Sequence, residues 1–412
     1  MRTEQLAIWL YGTRVALIGQ ERGRLRLAYT DDALARYQLG VPVLSLSLPL
    51  RPERYPHGVV RSFVDGLLPE GESRQVIAND LGLLREDTLG LIRALGRDCA
   101  GALVIQPEGD APPPQPTTLT AQSLDDAELD GLVANLRSAP LGIDGRVRLS
   151  LAGVQEKLLL TRMPDGGWGR PVDGTPSTHI LKPQIDRLPQ TVENEVFCMR
   201  LAAHLGLRAP AVEMTTIGSR RLTVVERYDR RVHPDGVVER IHQEDFCQAT
   251  GIPPEKKYQE DGGPSLHGIA GILQDVTAPS ALDELLRAVT LNVLVGNGDA
   301  HGKNFSLLHE PSGAIRLAPT YDVVSTLVYG DDRLAMYVDD VRRTNRVTAE
   351  RLINEAVWWG MSRRFAIEVV TDVLERVPAA VEAARTDPDE LPAEVPTVVD
   401  SQLKQMRSSS VG

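Results

Sequence analysis

The sequence predicts an α+β protein of two lobes, preceded by a small α/β unit. Three observations carry that reading. Up to about Gln106, short alternating runs are interleaved with helical patterns. From Val147 to about Arg230 the chain is β-rich with one inserted helix. After "ERYDRR" it becomes mainly helical. These changes divide the chain into a first unit at 1–107, a linker and short helix at 108–145, a β-rich lobe at 146–230, a helical lobe at 231–388 and a tail at 389–412.

In the first unit, "LAIWLYGTRVALI" and "GRLRLAY" alternate like strands, with glycines at the turns. "LSLSLPL" (Leu44–Leu50) reads as a further strand. Helical patterns follow in "VVRSFVDGLLPE" and "SRQVIANDLGL", and "AGALVIQPE" closes the unit as a strand. "PEGDAPPPQPTTLTAQS" is rich in Pro and Thr and reads as a linker or exposed loop. "DDAELDGLVANLRSA" predicts a short helix. The helix inserted in the β-rich lobe is "TVENEVFCMRLAAHLGL", where Val192, Val196, Met199 and Ala203 share a face and Gly206 marks the stop. "SALDELLRAVTLNVLVGN" is the clearest core helix. "DPDELPAEVP" is expected along the surface, with a short amphipathic piece, "VVDSQLKQM", after it.

The 412 residues suffice for two or three domains with a sizeable core, and 42% hydrophobic with 25% charged residues is an ordinary globular composition. A net charge of −11 argues against nucleic-acid or membrane binding through bulk charge. Any nucleic-acid contact needs a local basic patch or a basic partner. Cys99, Cys198 and Cys247 lie far apart with no CxxC. That argues against a disulfide framework or a cysteine zinc site and fits a reducing cytoplasm. The start reads as a strand pair, not a signal peptide, and no apolar run approaches membrane-spanning length.

The chemistry concentrates in "NGDAHGKNF" (Asn297–Phe305), just after the core helix. Asp299 and Asn304 have the Asp-x-x-x-x-Asn interval of a protein-kinase catalytic loop, with Asp as base and Asn on a metal ion. Magnesium wants a carboxylate as well, and Asp322 in "LAPTYDVVST" is the candidate. It stands as Tyr321-Asp322-Val323, without the Phe-Gly of a DFG element. A helix-ending loop rich in turn formers would account for Asp299–Asn304 without function, and a capping role would account for Asp322. The two motifs together favour a bilobal protein-kinase-like fold with a nucleotide between the lobes.

Such a site needs a lysine on the phosphates. "THILKPQ" offers Lys182 at the end of a β-run, with Ile180 on the same face. Ten residues on, Glu193 and Glu195 are alternative partners for its ammonium, and Glu195 is preferred. "RLSLAGVQEKLLL" reads as strand, turn, strand, with a phosphate-binding turn at Ala152–Gln155 flanked by Ser150 and Lys157. An ordinary hairpin would read the same way. "TVVERYDRR" turns abruptly charged at Glu226, and Glu226 to Tyr228 suits an adenine contact at the lobe junction. A solvated strand end would look alike.

With these residues in hand, the chain resembles the HipA family of bacterial toxin serine/threonine kinases. The matching text is "SLAGVQEK", "THILKP", "ENEVFCMRLAAHLGL", "VERYDRR", "QEDFCQATG", "KYQEDGGP", "GDAHGKNF" and "YDVVS", in the family's order. "LSLSLPL", "FVDGLLPEG" and "IRALGRDCAGAL" resemble the family's N-terminal subdomain. The resemblance implies Asp299 as catalytic base, with His301 and Lys303 orienting substrate or phosphate. It implies Asn304 and Asp322 as Mg2+ ligands. For ATP it implies Ala152, Gly153, Val154, Gln155, Glu156, Lys157, Lys182, Glu195, Glu226, Arg227, Tyr228, His301, Asn304, Tyr321 and Asp322. Ser150 would be the autophosphorylation site, whose phosphate ejects the loop and switches the kinase off. Family members act as type II toxins beside a HipB-like helix-turn-helix antitoxin that binds operator DNA and carries the toxin with it. Characterised toxins phosphorylate aminoacyl-tRNA synthetases, which halts translation and promotes persistence. "LAGVQEK" and "GDAHGKN" depart from the commoner VAGAQEK and GDGHAKN only at small or apolar positions. A small-molecule phosphotransferase and a non-catalytic corepressor are the alternatives.

Overall fold

The computed structural model describes residues 5–113, 117–118, 121–140, 151, 155–172, 174–386 and 394–408. In the first unit, β1 (Gln5–Leu10), β2 (Thr13–Glu21) and β3 (Arg24–Tyr29) form an antiparallel meander. Four helices follow: α1 (Asp31–Arg36), α2 (His57–Asp65), α3 (Gly71–Asp80) and α4 (Thr88–Leu95). Then β4 (Val104–Pro107) returns to the free edge of β1, giving the order β3-β2-β1-β4. The period of two puts Leu6, Ile8 and Leu10 on one face, where they pack with Leu27, Phe63, Val64 and Ile92. A fully buried Leu or Phe contributes about 1.5–3 kcal/mol.

"LSLSLPL" is not a strand. Leu44, Leu48 and Leu50 are buried, but the serines between them bind across to the helical lobe. Ser45 Oγ donates to Glu244 Oε2 at 2.5 Å, the Leu46 N–H to Glu244 Oε1 at 3.0 Å, and Ser47 Oγ to the Gln248 carbonyl at 2.7 Å. The apolar alternation reported burial, and side-chain partners took the place of a strand ladder.

The predicted linker contributes edge strands. β5 (Thr117–Thr118) and β6 (Ala121–Leu124) are followed by α5 (Asp126–Ala134), which opens on an Asp125–Glu128 capping box. Next come β7 (Leu158–Arg162), β8 (Trp168–Pro171), β9 (His179–Pro183), α6 (Thr191–His204), β10 (Val212–Ile217) and β11 (Arg220–Glu226). Their sheet has the order β10-β11-β9-β7-β8-β6. α6 is buried around its whole circumference from Thr191 to Met199, while Ala203 is exposed, so the single apolar face expected there is wrong at its last position. The helix is a central strut of the lobe rather than a surface helix.

At the junction, β12 (Arg230–Val232) pairs with β13 (Val237–Arg240), which pairs with β5, and β14 (His242–Asp245) leads into α7 (Phe246–Thr250). The helical lobe continues with α8 (Leu266–Val276) and α9 (Ser280–Val295). β15 (Ser306–His309) and β16 (Ile315–Leu317) form a sheet with β14. β17 (Arg333–Val338) and β18 (Val341–Arg343) form a hairpin ahead of α10 (Ala349–Trp358), α11 (Arg363–Thr386) and α12 (Glu394–Ser408). α9 is the axis of this lobe, with Leu285, Leu286, Leu291 and Leu294 all fully buried. The amphipathic piece predicted near the end is longer than expected. Val395, Val399, Leu403 and Met406 of α12 join the same core, and residues 387–393 lie outside the described set.

Buried charge welds the first unit to the lobe junction. Asp98, fully buried, accepts from Arg230 Nη2 at 2.8 Å and from the Ser177 hydroxyl at 2.7 Å, and lies 3.4–3.5 Å from Arg227 and Arg240. Asp229 binds Arg227 and the Gly101 N–H. Charges so deep are tolerated only when paired and hydrogen-bonded. Among the described residues no helix is long and apolar enough to cross a membrane.

Candidate active site

A cleft of ≈ 1610 Å³ runs between the sheet of the β-rich lobe and the helical lobe, with α3 of the first unit along one side. Small-molecule pockets measure about 300–1000 Å³, so the cleft has room for a nucleotide and an acceptor segment together.

Local structure delivers each group to this cleft. α9 ends at Gly296, whose φ of +66° lets its N–H bond back to the Asn292 and Val293 carbonyls. The chain then turns out of the core helix into the Asp299 loop. Inside that loop the Asn297 side chain accepts from the Asp299 N–H at 3.0 Å, and Asn304 Nδ2 donates to the Asp299 carbonyl at 3.2 Å. Lys182 comes from β9, paired with Thr223 of β11. Alternation along β9 sends Ile180 and Lys182 to the cleft and Leu181 into the core behind the sheet. Asp322 follows β16 and is held at φ +58°, in the left-handed region that non-glycine residues adopt uncommonly and Asp tolerates better than most.

Lys182 Nζ lies 2.7 Å from Glu195 Oε1 and 2.6 Å from Asp322 Oδ1. Glu193 instead pairs with Arg221, so Glu195 is the helix carboxylate on the lysine. Burial works against the Lys182 ammonium, but Asp322 and Glu195 outweigh it and hold its pKa above the usual lysine range. The same contact lowers Asp322 to about 2. Burial raises Glu195, with Lys182 opposing. Lys157, immediately before β7, is lowered to about 8 by burial and by Lys182.

Asp299 accepts from Tyr258 Oη at 2.6 Å and stands 4.0 Å from His301 Nε2. Desolvation at the cleft floor raises its pKa, and the Tyr258 hydrogen bond pulls the other way. His301 is buried and kept neutral, its pKa lowered to about 3 by burial and the Lys257 charge, and among the described residues its Nδ1 has no hydrogen-bond partner. Lys303 lines the cleft, but its ammonium is committed to Asp245 at 2.6 Å, with Glu70 at 3.8 Å.

At the other end of the cleft, Ile180 and Val225 form apolar walls with the rings of Tyr228 and Tyr321, whose centroids are 5.3 Å apart. Tyr321 Oη donates to the Lys303 carbonyl at 2.6 Å. Glu226 lies at the exposed end of β11. The Arg227 side chain is buried in the Asp98–Asp229 network, so it is spent on structure and leaves only its backbone for a ligand. Gln155 and Glu156 line the cleft, near the Pro183 carbonyl and Arg137 respectively. Ser150, Ala152, Gly153 and Val154 lie outside the described residues.

Magnesium prefers hard oxygen donors and keeps part of its water shell. The Asp322 carboxylate and the Asn304 amide oxygen fit that donor set. Among the described residues no cluster of three or more His, Cys, Asp or Glu side chains could enclose a metal by itself. Sequence reasoning missed Glu70, Asp245, Lys257 and Tyr258, all of which line the cleft. They lie within the matching motifs "FVDGLLPEG", "QEDFCQATG" and "KYQEDGGP", and those motifs were the available signal.

Family models match both parts of this architecture. The HipA N-terminal domain covers residues 6–106 and the HipA-like C-terminal domain residues 149–381. The chain belongs to the HipA family. Among HipA relatives, the putative kinase Y4mE of Sinorhizobium fredii is 44% identical over 343 residues, 80% of this chain and 79% of that one. The serine/threonine-protein kinase toxin HipA of Shewanella oneidensis is 34% identical over 383 residues, 87% of this chain and 86% of that one. The solved complex of Shewanella oneidensis HipA, HipB and operator DNA contains a chain that matches with a TM-score of 0.82 and 28% identity, covering 98% of this chain and 96% of that one. The HipA fold is thus a kinase-like α+β fold of two lobes with an added N-terminal unit.

Proposed function

We propose that this chain is an ATP-dependent serine/threonine-protein kinase and the toxin of a type II toxin–antitoxin pair, acting in the cytoplasm. The observation that carries the reading is the meeting of Lys182, Glu195 and Asp322 in the cleft that also contains Asp299 and Asn304. Adenine sits between the walls made by Ile180, Val225, Tyr228 and Tyr321, at the Glu226–Tyr228 backbone. Lys182, steadied by Glu195, contacts the phosphates, with residues 152–157 as the phosphate loop. Asp322 and Asn304 hold Mg2+, which when bound neutralises charge on the phosphate oxygens.

Asp299 receives the proton of the acceptor hydroxyl as its oxygen bonds to the γ-phosphorus. The bond from that phosphorus to the β–γ bridging oxygen breaks, and ADP leaves with the electron pair. Neutral His301 shapes the loop without adding charge. Lys303, already neutralised by Asp245, acts through loop geometry rather than as a free phosphate ligand. The domain limits are those of the sequence reading, with the first unit ending near 107 and the lobes meeting near 230.

Ser150 is the autophosphorylation site, and its phosphate switches the enzyme off by repulsion in a site built for ATP phosphates. The partner is a HipB-like helix-turn-helix antitoxin that binds operator DNA, and the Shewanella complex supports this assignment. A net charge of −11 fits a chain that leaves phosphate contacts to its partner. The acceptor is a translation component such as an aminoacyl-tRNA synthetase.

The test incubates purified protein with Mg2+ and labelled ATP and maps phosphate by mass spectrometry, with Asp299→Asn alongside. Label on Ser150 in the wild type only is the expected result. Transfer to small molecules alone would replace this reading with a small-molecule phosphotransferase. Absence of ATP binding would leave a corepressor.

A further inference from the structure

The segment "KYQEDGGP" (Lys257–Pro264) has no assigned part in phosphoryl transfer, yet it touches the proposed base directly. Tyr258 Oη donates to Asp299 Oδ1 at 2.6 Å. Among the described residues no hydrogen bond engages Asp299 Oδ2, so that oxygen remains for an acceptor hydroxyl. The Tyr258 ring stands edge-on to the His301 ring, with centroids 5.3 Å apart.

Lys257, the preceding residue, is anchored on two sides. Its carbonyl accepts from the Gly302 N–H at 3.2 Å, and its ammonium lies 3.4 Å from Glu70 Oε2 of the first unit. Gly302 permits this close approach of one loop to the other, and Gly263 permits the Lys257–Pro264 segment to fold tightly on itself. A Cβ on Gly302 would fall 2.5 Å from the Pro264 ring, and one on Gly263 would fall 2.2 Å from the Lys256 carbonyl oxygen. A side chain at Gly302 would force the two segments apart, and one at Gly263 would open the turn that carries Tyr258.

We propose that Tyr258 is a positioning residue, whose hydroxyl holds one oxygen of Asp299 so that the other is presented to the acceptor hydroxyl. The proposal rests on the kinase reading of the cleft. The terminal torsion of an aspartate is broad and roughly two-fold, so an unheld carboxylate would sample many orientations. A hydrogen bond to a charged oxygen is short and strong enough to select one. A tyrosine suits the task because its ring is rigid and is already fixed against His301. The Glu70–Lys257 contact makes the first unit an outer support of the same brace.

The test is Tyr258→Phe, which keeps the ring and removes only the hydroxyl. The expected result is a roughly 10–100-fold fall in kcat, a KM for Mg·ATP within about twofold of wild type and an unchanged melting temperature. Unchanged kcat in an active enzyme would overturn the proposal alone. A raised ATP KM together with a lowered melting temperature would make Tyr258 a structural support and overturn it too. The contact itself has a readout that needs no turnover. The Tyr258 Cζ resonance, assigned by its absence from Tyr258→Phe, is expected to shift on Asp299→Asn, and an unmoved resonance would sink the idea. A wild type that neither binds Mg·ATP nor transfers phosphate would fail the kinase reading and the role of Tyr258 with it.

Discussion

Lys182 Nζ lies 2.6 Å from Asp322 Oδ1, joining residues 140 positions apart. One comes from a strand of the β-rich lobe and the other from the segment after β16 in the helical lobe. The contact crosses the cleft, so the separation of the two lobes and the charge state of the site are tied to one ion pair.

Removing the carboxylate should therefore uncouple chemistry from folding. Asp322→Asn leaves Lys182 paired with Glu195, so the fold is expected to survive. Phosphotransfer should fall by about 10²–10³-fold, the scale of losing one charge-stabilising group. Lys182→Met should behave differently, because it leaves Glu195 buried without its cation, at a cost of about 3–5 kcal/mol. Urea unfolding and initial rates on both variants separate the two effects. Equal destabilisation would contradict the assignment of Glu195 as the buried partner.

Asp299→Asn should lower the rate of transfer by about 10²–10⁴-fold, the range for a positioned general base, while calorimetric affinity for Mg·ATP stays within a few-fold. Lost affinity would mean that Asp299 serves the nucleotide rather than the acceptor.

His242 supplies a pH dependence of stability. It is fully buried between the first unit and the helical lobe. Its Nε2 bonds to the Leu44 carbonyl at 2.9 Å, and among the described residues its Nδ1 has no hydrogen-bond partner. Burial and the neighbouring His309 lower its pKa to about 3. The unfolded chain takes up this proton near the ordinary histidine value of about 6.5, whereas the folded chain does not. Stability from this group is therefore complete above about pH 6.5 and declines as pH falls toward 3. At pH 5 the loss is about 2 kcal/mol. Melting temperatures of wild type and His242→Gln between pH 7 and 5 should show a shallower slope in the variant. Parallel slopes would mean that other groups dominate.

Asp98→Ala should be among the most damaging changes outside the cleft. It removes the anion facing Arg227, Arg230 and Arg240, all buried. A loss of about 3–5 kcal/mol is expected, with loosening of the first unit seen as faster proteolysis just after β4. A loss below 1 kcal/mol would show that the surrounding carbonyls and Asp229 suffice.

Much of this was legible in the chain because it is local. The Asp299–Asn304 interval, the strand ending in Lys182, the core pattern of α9 and the glycine that stops it are all set by neighbours a few residues away. Leu44–Leu50 shows where locality fails. Its alternation truly marks burial, but the partners of Ser45 and Ser47 are Glu244 and Gln248, some 200 positions on. Arg227 fails similarly, since Asp229 stands two positions away but nothing nearby says that its charge also belongs to Asp98, 129 positions back.

The sequence by itself determined the two-lobed α+β plan, the catalytic-loop spacing and the family, because periodicity and motif order are properties of the chain. Only the tertiary structure decided that Glu195 and not Glu193 meets Lys182, that Lys303 is neutralised by Asp245, and that Tyr258 reaches Asp299. The physical reason is that an ionic or polar side chain carries no mark of its partner. Which charge it meets depends on how helices and sheets pack, and that packing is set by apolar contacts far from the charge itself.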